Sequence, residues 1–433
     1  LAVFLCAVFA AAGVQASGLF PDGESAHSAA LGGASVFGFA SSIDALSSNP
    51  AALSLVVRPQ AQFAGRYNWL EGEFQNSAND SATLSDHGGI PSGALGDSFG
   101  PLSLGIGFLP DAALRARWRY RDTPGGLDGG TSYGDREHFS ELSLLRYALG
   151  ASYAITPQFS LGGSVGLLSN RNRLKAPYII QTQPQLAGAK TLLDMETDGW
   201  GCNAQFGALW RPREDVRVGL SYTLASRIRS HGRATSDAGL QLARLGLRDV
   251  DATTDFDAEV TNEFPQILSA GVAWQPVRQL ELMAQVDWID WSDSFDTLEV
   301  RLRNTDNALY RALLAGHRNL DDDVPLEWRD QWVIRTGAEF RVTRDLALRA
   351  GYRYARSPIP TETLTPMTSA IDEHVITAGL GYRRGPVTCD LAYQWHLPQR
   401  ERITDTRLLS GEYRDSTIEL SFHSLSLTVG VEF

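Results

Sequence analysis

From about residue 59 to the carboxy terminus, apolar and polar side chains alternate with a period of two. Val216, Val218, Leu220, Tyr222 and Leu224 alternate with Arg217, Gly219, Ser221 and Thr223, and Leu280, Leu282, Ala284, Val286 and Trp288 with Glu281, Gln285 and Asp287. Leu346, Leu348, Ala350, Tyr352 and Tyr354 alternate with Arg349, Gly351 and Arg353. Val387, Leu391, Tyr393 and Trp395 alternate with Thr388, Asp390, Gln394 and His396. Successive side chains of a strand point to opposite faces, so these segments are strands with one apolar and one polar face. A soluble sandwich alternates in the same way, so the connections must decide. Short ones are predicted at Pro110-Asp111, Thr156-Pro157, Pro212 to Asp215, Gln275-Pro276, Thr343 to Asp345 and Gly385-Pro386. Long polar stretches fall near 74–98, 121–138, 172–199, 229–256, 292–327, 355–372 and 398–416. Six short turns alternating with seven long loops require fourteen strands, with both ends of the sheet on the short-turn side. Loops of that length argue against a compact soluble domain, whereas short turns at one end and long loops at the other are how a membrane barrel is built.

The aromatics sharpen the choice. Phe108, Tyr153, Trp210, Trp274, Phe340, Tyr382 and Phe433 each stand on the apolar phase where a strand reaches its short turn. Tyr67 with Trp69, Trp118 with Tyr120, Tyr222, Trp288, Tyr352 with Tyr354, and Tyr393 with Trp395 stand near the long loops. Two levels of amphipathic rings are what a bilayer with two interfaces selects. The fold class expected is all-β: a 14-stranded antiparallel transmembrane β-barrel over residues 58–433. In the last strand, Leu425, Leu427, Val429, Val431 and Phe433 are out of phase with Ile418, Leu420 and Phe422, which predicts a bulge near His423-Ser424. The closing Phe433 resembles the signal by which the barrel assembly machinery recognises its clients.

Composition removes other classes. A chain of 433 residues could hold two or three soluble domains, yet nothing along it reads as a linker. The net charge of −12, with no basic block, excludes nucleic acid as a partner. Residues 1–16 read as a signal peptide that lacks its start: an Ala-rich apolar run ending in Val14-Gln15-Ala16. No later run of apolar residues is long enough for a spanning helix. The three cysteines make no disulfide framework. Gly162-Gly163-Ser164-Val165-Gly166 matches a nucleophile elbow, but Ser164 falls mid-strand where that chemistry needs a strand–turn–helix. Gly379-Leu380-Gly381 lacks the spacing and helix of a dinucleotide loop, and Asp321-Asp322-Asp323 reads as a solvated loop. No enzyme, cofactor or metal site is expected.

Between Ser17 and Val57 the alternation is absent, and Ala, Gly and Ser dominate from Ser28 to Ala52. Such a segment lacks the large apolar residues for a core of its own, while a fourteen-strand barrel has a lumen its own side chains cannot fill. Residues 17–57 are therefore expected to form a hatch within that lumen. A Gly/Ala-rich amino-terminal segment ending in Asn49-Pro50-Ala51 and leading into fourteen strands resembles the FadL-type family of long-chain fatty acid and aromatic hydrocarbon transporters. Phe264-Pro265 before Leu268 to Trp274, and Trp328-Arg329-Asp330-Gln331-Trp332 before Arg335-Thr336-Gly337, add to the likeness. The resemblance implies a monomeric outer-membrane barrel in bilayer and lipopolysaccharide, and passive uptake of a fatty acid, hydrocarbon or similar apolar molecule. It implies that Asn49, Pro50 and Ala51 are the hatch motif, and that ligand leaves past the hatch or through the barrel wall. The family's inward-kinked third strand is not read here, because 112–120 alternates regularly with Arg115, Arg117 and Arg119 on one face.

Aliphatic residues in the long loops are the capture candidates: Tyr178, Ile179, Ile180, Leu192, Leu193, Leu240, Leu242, Leu245 and Leu247. A ligand carboxylate would want a cation, for which Arg171, Arg173, Lys175 and Lys190 are available. The lumen-facing charges Arg217, Glu281, Asp287, Arg335, Glu339, Arg349, Arg353, Arg383 and Asp390 are expected to pair with one another and with the hatch. The alternatives are an outer-membrane lipase or phospholipase, which needs a Ser–His pair on the outer wall, and a structural or adhesive barrel, which needs no plug. Only His396 and His423 are placed on strands where such a pair could stand, and the phase turns His396 inward.

Overall fold

A computed structural model describes residues 19–433; the leader expected at 1–16 and the first two residues of the expected hatch lie outside them. Among the described residues eighteen strands form one antiparallel sheet. They are β1 (Gln60–Asn76), β2 (Asn79–Phe99), β3 (Leu102–Arg121), β4 (Asp135–Thr156), β5 (Phe159–Ile179), β6 (Lys190–Arg213), β7 (Val216–Thr223), β8 (Ser226–Asp237), β9 (Thr253–Phe264), β10 (Ile267–Val277), β11 (Leu280–Ile289), β12 (Thr297–Arg303), β13 (Leu320–Pro325), β14 (Gln331–Arg341), β15 (Leu346–Ala355), β16 (His374–Arg384), β17 (Val387–Ile403) and β18 (Ser416–Glu432). Fourteen of them close a barrel: β1 to β7 in order, then β10, β11 and β14 to β18, with β18 returning to β1. The other four make an annex on the outer half of β6, in the order β8, β9, β12, β13.

The fourteen-strand count stands, with two connections moved. Residues near 74–98, expected to be a loop, are the end of β1, a two-residue connection and β2. Pro110-Asp111 is no turn. The turn is Gly100-Pro101, where Gly100 takes a left-handed φ of 66°, and Pro110-Asp111 forms a bulge inside β3. β2 hides its alternation because Gly88, Gly89, Gly93 and Gly96 carry no side chain to alternate. Much of 172–199, 229–256, 292–327 and 398–416 is also strand. β6 has 24 residues, where about ten suffice to cross a bilayer, so its outer half stands in water. There the outward face is charged, and neighbouring strands carry opposite signs. Arg173 on β5 meets Glu196 on β6 at 2.9 Å, Lys175 meets Asp194 at 2.9 Å, and Arg229 on β8 meets Glu259 on β9 at 3.2 Å. Each exposed pair contributes little alone, but the lattice keeps the strands soluble and made them read as loops.

Lower down, the outward face is apolar. Tyr153, Trp210, Trp274, Phe340, Tyr382 and Phe433 lie exposed at the short-turn end, and Tyr67, Tyr352, Tyr393 and Trp395 at the other interface. Three expected positions differ. Phe108 sits in the middle of β3, and Trp118 and Tyr120 are buried inside the barrel. The bulge explains this: Leu104 and Ile106 face lipid before it, and Ala116, Trp118 and Tyr120 face the lumen after it, although all keep the same sequence phase. The bulge expected at His423-Ser424 is absent, for β18 pairs with β1 without a register break. Its even positions all point inward and its odd ones outward. Ile418, Leu420 and Phe422 are apolar because the interior itself turns apolar there, and the bulge lies instead on β17 between His396 and Gln399.

Candidate functional site: an apolar chamber above the amino-terminal segment

Residues 19–57 pack inside the barrel as short pieces: α1 (Ala26–Ala29), α2 (Ser42–Ser48) and a 3-10 helix (Pro50–Leu55). Serines begin both α-helices. Ser25 Oγ accepts from Ser28 N, and Ser41 Oγ from Asp44 N, each at 3.2 Å. Asp44 ties the two together by accepting from Ser25 Oγ (2.7 Å) and Ser28 Oγ (2.6 Å). The segment buries Leu31, Val36, Phe37, Ile43, Leu46 and Leu53 completely, and polar wall residues take up part of its backbone. Gln285 Oε1 accepts from Ser35 N and Val36 N at 2.7 and 2.9 Å, Thr428 Oγ1 accepts from Ala26 N at 2.8 Å, and Arg146 Nη2 donates to Leu46 O at 2.9 Å.

Asn49, Pro50 and Ala51 are fully buried against β5 and β6. Asn49 Nδ2 donates to Val36 O (2.7 Å) and to Ala208 O (3.0 Å), while its Oδ1 caps the 3-10 helix at Ala51 N (3.1 Å). The amide therefore joins two parts of the segment to the wall. The wall allows this approach only where it has no side chain: a Cβ on Gly207 would lie 1.9 Å from Asn49 Oδ1, and one on Gly162 would lie 2.3 Å from Ala51 N.

Asp22 anchors the other end. It accepts from Arg335 Nη1 (2.6 Å) and Arg353 Nη2 (3.0 Å), and Arg335 also reaches Asp287 (2.8 Å). Arg353 pairs in turn with Asp372, which accepts from His396 Nδ1 at 3.0 Å. Ligand atoms of Asp22, Asp372 and His396 lie within 4.8 Å of one another, but Arg353 donates to both carboxylates and does there what a metal cation would do. The other expected lumen charges pair as well: Arg217 with Glu281, and Arg349 with Glu339 and Asp390. Arg383 does not belong among them; it is exposed and pairs with Glu432.

Above this layer the lumen is lined by apolar side chains. Phe74, Trp118, Leu168, Ile228, Val333, Ile403 and Ile418 belong to one buried cluster with Trp291, Phe295 and Trp328. Phe20 enters it, stacked on Trp291 at 5.2 Å between ring centres. Trp291 and Trp328 meet edge-to-face at 4.9 Å, and Trp291 Nε1 donates to Gln331 (3.3 Å). The connection 356–373 folds down into the chamber. Its Ile359, Leu364, Met367, Ala370 and Ile371 are buried there, and its Pro366 and Met367 carbonyls accept from Trp118 Nε1 (2.8 Å) and Ser140 Oγ (2.7 Å). Between the apolar cluster and the amino-terminal segment lies a cavity of about 150 Å³ bordered by Phe20, Glu24, Leu144, Phe264, Ile267 and Ile289.

The wall beside the chamber is incomplete. β2 and β3 pair only between Gly93–Phe99 and Leu102–Phe108, and beyond the bulge β3 turns from β2. The inward break in the third strand is thus present, at Pro110 to Ala112. Leu19 O fills it by accepting from Ala113 N at 3.0 Å, and Arg115 on β3 reaches Asp86 on β2 at 3.1 Å across the gap.

The capture candidates divide. Tyr178, Ile180 and Leu193 pack in the closed core of the annex, with Phe256, Val260, Tyr310 and Leu314. Asp322 on β13 seals that core by accepting from Gln181 N (2.9 Å) and Thr182 N (2.6 Å). Ile179 and Leu242 are buried too, and Leu192 is half-buried. Leu240, Leu245 and Leu247, on and after α3 (Gly239–Arg244), are exposed, as is Leu127. Gln241 Oε1 on α3 accepts from Leu127 N at 3.0 Å, which places this apolar patch on one outer surface. The cations proposed for a ligand carboxylate are engaged elsewhere: Arg171 and Arg173 with Glu196, Lys175 with Asp194, and Lys190 with Asp122 and Glu412.

Lys190 is fully buried and clamps three outer connections. Burial pushes the Glu412 carboxyl up from 4.5 to about 7, against the pull of Lys190, and raises Asp122 in the same way. A proton held more tightly in the folded loops than in the free side chain stabilises them as pH falls. The gain begins as pH drops through about 7, is complete below 4.5, and is on the order of 3 kcal/mol. Glu412→Gln should therefore slow hydrogen exchange in 122–134 and 404–415 at about pH 8 and change little at about pH 5, after correction for intrinsic rates. Faster exchange in the variant at the higher pH would contradict this sign.

Over 304 residues the chain is 25% identical to alkane uptake protein A of Marinobacter nauticus, covering 67% of this chain and 59% of that protein, so less than two thirds of that relative is matched. The fold superposes on that of a Pseudomonas aeruginosa FadL homologue with a TM-score of 0.75 at 18% identity, covering 99% of this chain and 100% of the other. The Pseudomonas putida toluene transporter TodX gives 0.76 at 21% identity, covering 97% and 100%. Residues 125–433 match the family described as outer membrane protein transport protein (OMPP1/FadL/TodX). The chain belongs to this family of outer-membrane transport proteins.

Proposed function

We propose that the protein is a passive channel for uptake of hydrophobic compounds, alkanes or fatty acids among them, with residues 17–57 as its hatch. The observation that carries this is the apolar chamber itself: the amino-terminal segment is fixed by polar contacts as well as by packing, and above it aromatic and aliphatic side chains line the interior. A barrel needing only to be closed gains nothing from a greasy chamber, whereas an apolar solute gains a place away from water. The exposed patch of Leu127, Leu240, Leu245 and Leu247 serves as first contact, the Trp291–Trp328 cluster as the pocket, and Phe20 as the side chain a ligand displaces. Release then follows movement of Leu19 out of the β3 break or of the segment as a whole. Of the two strand histidines a lipase could use, His396 faces the lumen and is committed to Asp372, and His423 shares its Nδ1 with the Tyr393 hydroxyl at 2.7 Å. The exposed Phe433, next to the lipid-facing Leu425, Leu427 and Val429, fits recognition by the assembly machinery of a barrel that works as a monomer.

Uptake of a labelled alkane by cells carrying the gene, compared with a deletion strain, tests the proposal; equal uptake would end it. Within the chamber, Leu420→Asp places a carboxylate among apolar side chains, which costs several kcal/mol unless water enters. Alkane uptake should fall about tenfold or more, each tenfold being 1.4 kcal/mol, with the folded barrel still resisting SDS at room temperature. Undiminished uptake would remove the chamber from the route.

A further inference from the structure

Arg353 is fully buried and divides one guanidinium between two separate parts of the chain. Its Nη2 donates to Asp22 Oδ2 at 3.0 Å and also to Asp372 Oδ2. Nε adds a second bond to Asp22 (3.2 Å), and Nη1 donates to the Asp372 carbonyl (3.3 Å). Asp22 belongs to the amino-terminal segment that floors the chamber, and Asp372 ends the connection 356–373 that roofs it. Both carboxylates thus share the charge of one guanidinium, with Arg335 also on Asp22 and His396 also on Asp372, in a place with almost no water to replace it.

We propose that Arg353 is an interlock: lifting the roof tightens the floor, and releasing the floor tightens the roof, so the chamber is never open at both ends. This rests on the reading of residues 17–57 as a hatch. When Asp372 leaves with its loop, the whole guanidinium turns to Asp22, and in a low-dielectric interior that attraction is strong. When Asp22 leaves, Asp372 inherits it, and His396 continues to hold the same carboxylate. Coupling of this kind is reciprocal by thermodynamic necessity. Its benefit is that an apolar molecule can pass in steps without a continuous aqueous path.

Hydrogen–deuterium exchange of the purified full chain in detergent reads both ends at once. Asp372→Asn should speed exchange in 356–373 and slow it about fivefold or more in 22–36, and Asp22→Asn should do the reverse. In Arg353→Gln, each carboxylate substitution should lose its effect on the opposite segment. If both segments loosen together, or the opposite one does not respond, the interlock is wrong. The readout needs no substrate, so a failed uptake assay and a failed interlock remain distinguishable. Should Arg353→Gln not fold, the two carboxylate variants decide alone.

Discussion

Arg353→Met will free both the floor and the roof of the chamber while leaving the barrel closed. The substitution keeps most of the side chain's volume and removes the guanidinium that Asp22 and Asp372 share. Two buried carboxylates then face each other without the cation that joined them, although Arg335 still reaches Asp22 and His396 still reaches Asp372. Removing one partner from a buried ion pair costs about 3–5 kcal/mol, enough to shift these segments far toward their open states. Proteolysis followed by mass spectrometry should find new cuts in 19–57 and in 356–373, with the barrel still running as folded on an unheated gel. Adding Asp22→Asn and Asp372→Asn should restore much of the protection, because neutral groups need no counter-ion. If Arg353→Met is as resistant as the parent, the charges contribute nothing to holding these parts.

Asn49→Leu should have the next largest effect, confined to the floor. It leaves the Val36 and Ala208 carbonyls without their donor and uncaps the 3-10 helix at Ala51. Each buried group left without a partner costs about 1–3 kcal/mol, and loss of a cap about 1. A branched side chain must also fit against the bare backbone of Gly207. Exchange in 45–55 should rise by at least about a hundredfold, while 356–373 stays protected. Asn49→Ser, which retains the cap, should fall between. Unchanged exchange in Asn49→Leu would mean that the amide is not what fixes this end.

How far the sequence carried can be judged from particular residues. Tyr153, Trp210, Trp274 and Phe340 read correctly because a strand with lipid on one face and a polar lumen on the other alternates without ambiguity. The reading failed wherever one of those surroundings changed. β3 keeps a single phase through Leu104, Ile106, Trp118 and Tyr120, but the Pro110 bulge moves that phase from lipid to lumen. β18 shows an apparent slip without any bulge, because Ile418 to Phe422 face the chamber and Leu425 to Val429 face lipid. Neither event leaves a mark that period two can separate from its opposite.

The site divides along similar lines. Asn49-Pro50-Ala51 stood out by its place before the first strand. Tyr178, Ile180 and Leu193 looked like a greasy capture surface but build the annex core, since apolar residues in a long connection are as useful for folding it as for binding. Arg353 was visible as one of many luminal charges. Its partner Asp22 lies 331 residues away, a pairing that local pattern does not reveal.

The outer part of the barrel, with ion-paired strands around an oily centre, is arranged like an ordinary water-soluble protein, while the part beneath it is arranged the opposite way. On the uptake proposed above, an apolar solute would therefore meet a phase like its own before it has reached the depth of the lipid tails. The molecule lifts a sample of membrane interior out to where the solute first arrives.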